Sequence, residues 1–443
     1  MKQKQNNHLH GQRGQAFANK IRGINPEQIL CVSIDISKDF HLVLLHNKLG
    51  EIVMPRFDID IFQSGYEQLC QAIETAVSDN NIQLILIGME PTGHYYQNLA
   101  CHLHTDGYNV TIINSLTVKQ NRDQQMMSRE KSDEIDAAAI GDLLQRGHGS
   151  PYHPPTDVYL QLQQLDRERI AELKVQTMYK NRIIGHLDRI WPGLILTKTA
   201  AKSRYKPLFA TDFWSSKKWQ ELVRVCPDPR EIAAMSPAML IDAFHEQGFP
   251  LGVVGAHKYI TYAQKTLWAE PEMTLLRRQW LERDLAFFDR SSARIDALSA
   301  QIEPLLAQTP YQILSRFKGI SVDTVASFAA AVGDPAHYAC AAQIFRRSGL
   351  VSGRADSGAN QRQGKGKSIT KTGDVYLRRA LGIMAYGLIL HQPVLSSYYH
   401  RLAQYKKPGV ARVALLRRTV GILWATVRDQ RADTLILREE NRM

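Results

Sequence analysis

Between Gln28 and Ile113 the apolar positions fall in short runs that alternate between the periods of strand and helix. The segment Cys31 to Asp39 reads CVSIDISKD, and its β-branched residues Val32, Ile34 and Ile36 predict a strand interrupted by one carboxylate, Asp35. Further strands are expected at about Phe40 to Leu45 and Ile52 to Phe57, with Asn47 and Gly50 as turn residues between them. Joins this tight predict antiparallel pairing. A helix follows at about Ser64 to Val77, with Tyr66, Leu69, Ile73 and Val77 on one face. Leu84 to Met89 is continuously apolar, as a central strand is, and it ends in Glu90-Pro91-Thr92-Gly93. A helix at about Tyr95 to His104, a strand at Val110 to Ile113 and a helix from about Ser132 complete the order β-β-β-α-β-α-β-α.

Past Thr156 the period becomes helical over long stretches. Ile170, Leu173, Thr177, Lys180, Ile184, Leu187 and Trp191 form one seam, and Phe288, Ile295, Leu298, Ile302 and Leu305 form another. Two such seams predict a coiled-coil arm, formed either within one chain or between two. Residues 192–271, rich in Pro, Trp and Lys, read as an insertion between them, with no role legible. Phe317-Lys318-Gly319-Ile320 before a helix at Val322 to Val332 has the form of a helix-hairpin-helix, or of a simple turn between helices. Tyr376 to Leu390 reads as a further helix. The expected division is a flexible basic arm at 1–26, an α/β domain at 27–150, a coiled-coil connection at 151–310, and a mostly α-helical domain at 311–443.

Composition narrows the function. The 443 residues carry a formal net charge of +12, and from Ala341 onward 19 Lys plus Arg stand against 6 Asp plus Glu. A positive field this concentrated predicts a polyanionic partner, most simply nucleic acid. The longest apolar run near the C-terminus is too short to span a bilayer, and the N-terminus has no signal-peptide core, so a cytoplasmic protein with no membrane partner is expected. The five cysteines lack paired short spacings, which argues against a zinc site or a disulfide framework.

Four carboxylates carry the candidate chemistry. Asp35 lies within a strand, Glu90 just past another, and Asp133 and Asp136 are at i and i+3 on a helix and so share a face. Singly, each has a plainer reading: a solvent-face acid, a loop acid before proline, a helix-capping acid. Together they could converge on a hard divalent cation, Mg²⁺ or Mn²⁺, which clamps oxygens of a phosphodiester. Ser352 to Thr372 is a Gly/Ser-rich stretch with five basic residues and one acid. Its Gly366-Lys367-Ser368 imitates the end of a phosphate-binding loop, but Gln361 stands where the first glycine should be.

The strand order and acid placement resemble the ribonuclease H-like fold in its RuvC-like form. More specifically, GMEPTGHYYQNLA, KSDEIDAAAIGDLL and SITKTGDVYLRRAL resemble the DEDD transposases of bacterial insertion sequences, insertion sequence family 110, subgroup 1111, which are RNA-guided bridge recombinases. The resemblance covers Gln28 to about Leu144 and about Leu314 to Leu390. It implies a metal-binding tetrad of Asp35, Glu90, Asp133 and Asp136, and a nucleophilic serine in a small-residue loop after Gly349-Leu350. The serine in the matching place is Ser357, with Ser352 as the alternative; Asp356 before Ser357 and Ala359-Asn360 after it depart from the family's run of small residues. Arg354, Arg362 or Lys365 would neutralise developing charge. Lys367, Lys371, Arg378 and Arg379 are further candidates for contact with nucleic acid. The resemblance also implies donor and target DNA, an element-encoded guide RNA, a homo-oligomer (dimer or tetramer) with composite sites, and association with the nucleoid. The expected function is therefore a transposase acting through a phosphoserine intermediate. Its rivals are a RuvC-like junction nuclease, which needs no serine, and a non-catalytic nucleic-acid-binding protein.

Overall fold

The computed structural model describes residues 11–125, 133–154, 157–195, 207–209, 213–351, 369–370 and 373–430. The chain divides into two compact units, Met1–Pro154 and Pro155–Met443.

The first unit is built on a six-stranded sheet in the order β3-β2-β1-β4-β5-β6. Its strands are β1 (Ile29–Ile36), β2 (Phe40–Asn47), β3 (Ile52–Asp60), β4 (Leu84–Met89), β5 (Asn109–Ile112) and the short β6 (Ser150–Pro151). As the tight joins require, β1, β2 and β3 pair antiparallel, whereas β4 lies parallel to β1 and β5 parallel to β4. This is the ribonuclease H-like arrangement expected from the strand order. The third strand runs to Asp60, three residues past its expected end, because the Val43 and Phe57 pairing continues to Phe40 and Asp60.

Alternation along β1 sorts the two faces. Leu30, Val32, Ile34 and Ile36 pack with Leu69 and Ile73 of α2 (Gln63–Asn80) and with Ala100 and Leu103 of α3 (Tyr96–Thr105). Ile29 and Cys31 pack the other way, with Val118 of α4 (Ser115–Gln125) and Ala139, Ile140 and Leu143 of α5 (Asp133–Gln145). The helix α4 was not legible in the polar run VKQNRDQQ. Part of the expected N-terminal arm is also helical: α1 spans Gly11–Ile21, and its Phe17 and Ile21 pack against the α4–α5 core.

The second unit is helical among its described residues apart from a bridge at Ile369. The helices α6 (Asp157–Ile190) and α11 (Pro271–Ala307) pair antiparallel within one chain, which settles the seam reading in favour of a hairpin. Arg169 Nε donates to Ser299 Oγ at 2.9 Å, Gln176 to Ser292 at 2.9 Å, and Arg182 to Asp284 at 2.8 Å, so rising numbers on one helix meet falling numbers on the other. The insertion is a helical module of α7 (Lys217–Val225), α8 (Pro229–Ala234), α9 (Pro237–Glu246) and α10 (Val253–Gln264). Trp219, Phe213, Phe244 and Trp191 fill its core together with Ile183 and Leu187 of the hairpin. The C-terminal helices α12 (Val322–Val332), α13 (Ala341–Arg347), α14 (Val375–His391), α15 (Pro393–Ala403) and α16 (Pro408–Asp429) enclose another core around Phe328, Leu381 and Leu415. The glycine of the FKGI turn, Gly319 (φ +96°), lies against Gly387 of α14: a Cβ on Gly319 would sit 2.4 Å from the Gly387 carbonyl oxygen. That side of the turn is spent on helix packing.

Candidate active site

The carboxyl end of the central strands positions two of the four predicted acids. In the parallel register Ile34 lies opposite Met89, the last residue of β4, so Asp35 and Glu90 each follow the final paired residue of neighbouring strands. Asp35 shares the parity of Ile29, Cys31 and Ser33, and therefore turns to the α5 face of the sheet. It is half-buried, as is Glu90.

The helix α5 is docked so that its acidic start lies over that end. Gln145 Nε2 donates to the Asn47 carbonyl at 3.2 Å, beside the start of β1, since Asn47 pairs with Leu30. Further back along the helix, Gly141 lies over Ser33: a Cβ there would stand 2.6 Å from His46 Nε2 and 2.9 Å from Ser33 Oγ. The helix thus runs opposite to β1. Five residues from Gly141 back to Asp136 span about 7.5 Å of helix, and the two residues from Ser33 to Asp35 span about 6.6 Å of strand. Asp136 is accordingly level with Asp35 along the helix axis, but the five residues also turn it about 140° from the sheet-facing Gly141. This docking needs a glycine at 141. Beneath it lies His46, whose Nε2 is 3.0 Å from Ser33 Oγ and whose Nδ1 is 3.0 Å from the Asn47 carbonyl. Burial pushes the His46 imidazole below its ordinary value, and the Asn47 carbonyl only partly opposes it.

Asp136 is 8% exposed and does not stand alone. Arg122 of α4 donates to it from Nη1 at 2.6 Å, with 17% and 12% of the two side chains exposed. The carboxylate in turn favours the protonated guanidinium. Next to it on α5, Glu134 pairs with Arg56 of β3 at 2.8 Å. Asp133 is the first residue of α5.

The chemistry of the four suits a hard cation, since all are carboxylates, on β1, just past β4 and at the start of α5. Among the described residues no group of three or more His, Cys, Asp or Glu side chains is close enough to hold a metal ion. One carboxylate oxygen of Asp136, Oδ1, already accepts from the Arg122 guanidinium.

The remaining candidates belong to the second unit. Ser357, Ser352, Arg354, Arg362, Lys365, Lys367 and Lys371 lie outside the described residues. The two ends of their segment are described, and they are tied together. Thr370 N–H donates to the Val351 carbonyl at 2.9 Å and Asp374 N–H to the Arg347 carbonyl at 2.7 Å. Gly349 and Gly373 are in such close contact that a Cβ on Gly373 would lie 2.1 Å from the Arg347 carbonyl oxygen and 2.3 Å from Gly349 N. Arg378 Nη1 donates to the Ser348 carbonyl at 2.9 Å, so this predicted basic contact holds the neck. Asp374 caps α14 by accepting from Tyr376 N and Leu377 N. Arg379 is near enough to the buried Asp166 for its charge to oppose the burial that pushes that carboxyl up.

Several participants were missed from sequence. Arg122 lay in a stretch without a clear period, and only its place one turn before the end of a polar helix could have suggested it. Ser33, His46 and Gly141 have no motif of their own.

Comparison with known families gives two matches. The DEDD_Tnp_IS110 transposase profile matches residues 32–192, and the profile of the transposase IS116/IS110/IS902 family matches residues 311–400. No curated protein matches the chain.

Proposed function

Because the chain belongs to the IS110 family of transposases, which cleave and rejoin DNA, we propose that it is a serine recombinase whose α/β unit is a metal-assisted phosphodiester site. The observation that carries this reading is the register of β1 and β4. It ends at Ile34 and Met89, one residue before Asp35 and Glu90, and α5, which begins at Asp133, packs on the face to which Asp35 turns. The four acids would hold Mg²⁺ or Mn²⁺, which when bound supplies positive charge to the phosphate oxygens.

The chain's own residues account for the rest. Ser357 Oγ loses its proton and bonds to phosphorus while the phosphorus–ester oxygen bond of the DNA breaks, and the departing oxygen takes up a proton. A hydroxyl of a second DNA end then attacks the phosphoserine and releases Ser357, so the number of phosphodiesters is conserved. Arg354, Arg362 and Lys365 neutralise the charge that develops on phosphorus. The tied neck supports a role for this loop, because a nucleophile needs fixed ends near it. Lys367, Lys371 and the basic helices beyond hold nucleic-acid backbone. An RNA encoded with the protein selects donor and target DNA, and a homo-oligomer assembles the sites.

The test is strand exchange by the purified chain with its co-purified nucleic acid. Ser357→Ala should abolish both the covalent protein–DNA adduct and rejoining, while Ser352→Ala keeps both. Continued adduct formation by Ser357→Ala would reject the assignment, and cutting without rejoining would favour a junction nuclease. Sequencing of the bound nucleic acid should return one discrete RNA; its absence would reject guidance.

A further inference from the structure

A concavity opens at the same end of the sheet as Asp35 and Glu90, on the opposite face from α5. Its volume is about 360 Å³. The floor is His41 and Ile59, neighbours across β2 and β3. The rim is the β1–β2 turn at Lys38, the entry to α2 at Phe62, the turn before α3 at His94 and Tyr95, and the first turn of α3 at Asn98.

The chemistry of the wall is lopsided. Lys38, His41, His94 and His102 are there, and the acid among the lining residues, Asp60, is already used: it accepts from Phe62 N at 2.9 Å, Gly65 N at 3.0 Å and the Ser64 hydroxyl. The helix α3 starts at this wall without a side-chain cap, which adds its positive end. His41 is 4% exposed and lines the floor; its ring lies near the Phe40 and Ser37 carbonyls, yet Nδ1 makes no well-formed hydrogen bond. A buried polar atom left unpaired is costly. Basic groups alone would suit a bare anion, but Phe62, Tyr95, Ile59 and Leu99 give the pocket an apolar side that a phosphate would leave bare. Phe62 is 70% exposed although its aromatic face is large. A nucleobase stacks on such a surface, at about 1–3 kcal/mol per base, and the volume falls in the range of about 300–1,000 Å³ common for small-ligand sites.

We propose that this pocket binds one unpaired nucleotide, its phosphate against Lys38 and His94 and its base against Phe62 and Tyr95. Lys38 follows Asp35 by three residues and His94 follows Glu90 by four, so pocket and carboxylates share one end of the sheet, and the bound nucleotide would be part of a polynucleotide that passes over that end. That last link rests on the function proposed above; the pocket itself does not. Occupancy would fix an unpaired base beside the reacting phosphate, and would favour DNA opened at that point.

The probe is uridine 5′-monophosphate, observed by saturation-transfer NMR with the full chain in EDTA. EDTA keeps divalent metal out of the measurement, so a negative result leaves the metal reading standing. Lys38→Gln/His94→Gln and Phe62→Ala alter exposed residues, and unchanged melting temperatures check their folding. Each should weaken binding at least tenfold, and uridine should bind at least tenfold less tightly than its monophosphate. Nucleotide binding that is absent, or indifferent to both variants, would overturn the proposal. So would inorganic phosphate competing as well as the nucleotide, which would mark an anion site only.

Discussion

Arg122 Nη1 lies 2.6 Å from Asp136 Oδ1, so α4 already supplies a positive charge to one of the four candidate acids on α5 and the sheet. A divalent ion using that oxygen has to displace the guanidinium or share the carboxylate with it. Arg122→Gln should therefore bind Mn²⁺ about tenfold more tightly, equivalent to about 1.4 kcal/mol, while its metal-free form melts lower. Electron paramagnetic resonance titration and calorimetry read the two effects. Equal or weaker affinity would show that Arg122 instead orients Asp136 for the metal.

Gly141 allows α5 to approach Ser33 and His46. A methyl group there overlaps His46 Nε2 at 2.6 Å. Gly141→Ala should cost about 1–3 kcal/mol of stability, the usual range for overpacking, and should weaken Mn²⁺ binding because the acidic start of α5 shifts with it. Urea denaturation and the same titration test this. Unchanged stability would mean the helix has room to spare.

His46 gives the α/β unit a pH dependence of definite sign. Burial depresses its folded pKa below the ordinary 6.5, so as pH falls the unfolded chain binds the proton first and stability drops. His41 acts in the same direction, its burial outweighing the Phe40 and Ser37 carbonyls. Denaturation midpoints at pH 7.5 and 5.5 should differ more in the wild type than in His46→Gln. An equal difference would remove His46 as the cause.

The neck below the serine loop makes a separate prediction. In Gly373→Ala the new methyl meets the Arg347 carbonyl at 2.1 Å and Gly349 N at 2.3 Å, so the loop's ends must part. Strand exchange should fall at least tenfold while Mn²⁺ binding stays at the wild-type value. Loss of both together would indicate general misfolding.

The strands were legible because burial imposes a period of two on one face and continuous apolarity on a central strand. Asp35 stood out as the polar break in such a run. The docking of α5 was not legible: a glycine and a histidine 95 residues apart, Gly141 and His46, meet through tertiary packing, and neither disturbs a local pattern. The same holds for the neck, where Gly349 and Gly373 mark close backbone approach, which resembles ordinary loop composition from sequence. The coiled-coil seams were visible, yet their polar members Thr177 and Lys180 left the partner open. Lys180 in fact sits 5.3 Å from the Trp214 ring, so the insertion accounts for the charge on the seam. The arginine that meets Asp136 was hidden by a helix with few apolar residues.

The antiparallel hairpin also behaves as a ruler. Its first helix has 34 residues and its second 37, so it extends about 50 Å, and the module at its tip is held from the C-terminal core at a distance set by residue count. Seven residues added to both helices would keep the seam in phase and move the tip outward by about 10 Å. Seven added to one alone would put the pairs Arg169–Ser299 and Arg182–Asp284 out of step. The spacing is thus a heritable length, adjustable only in matched steps.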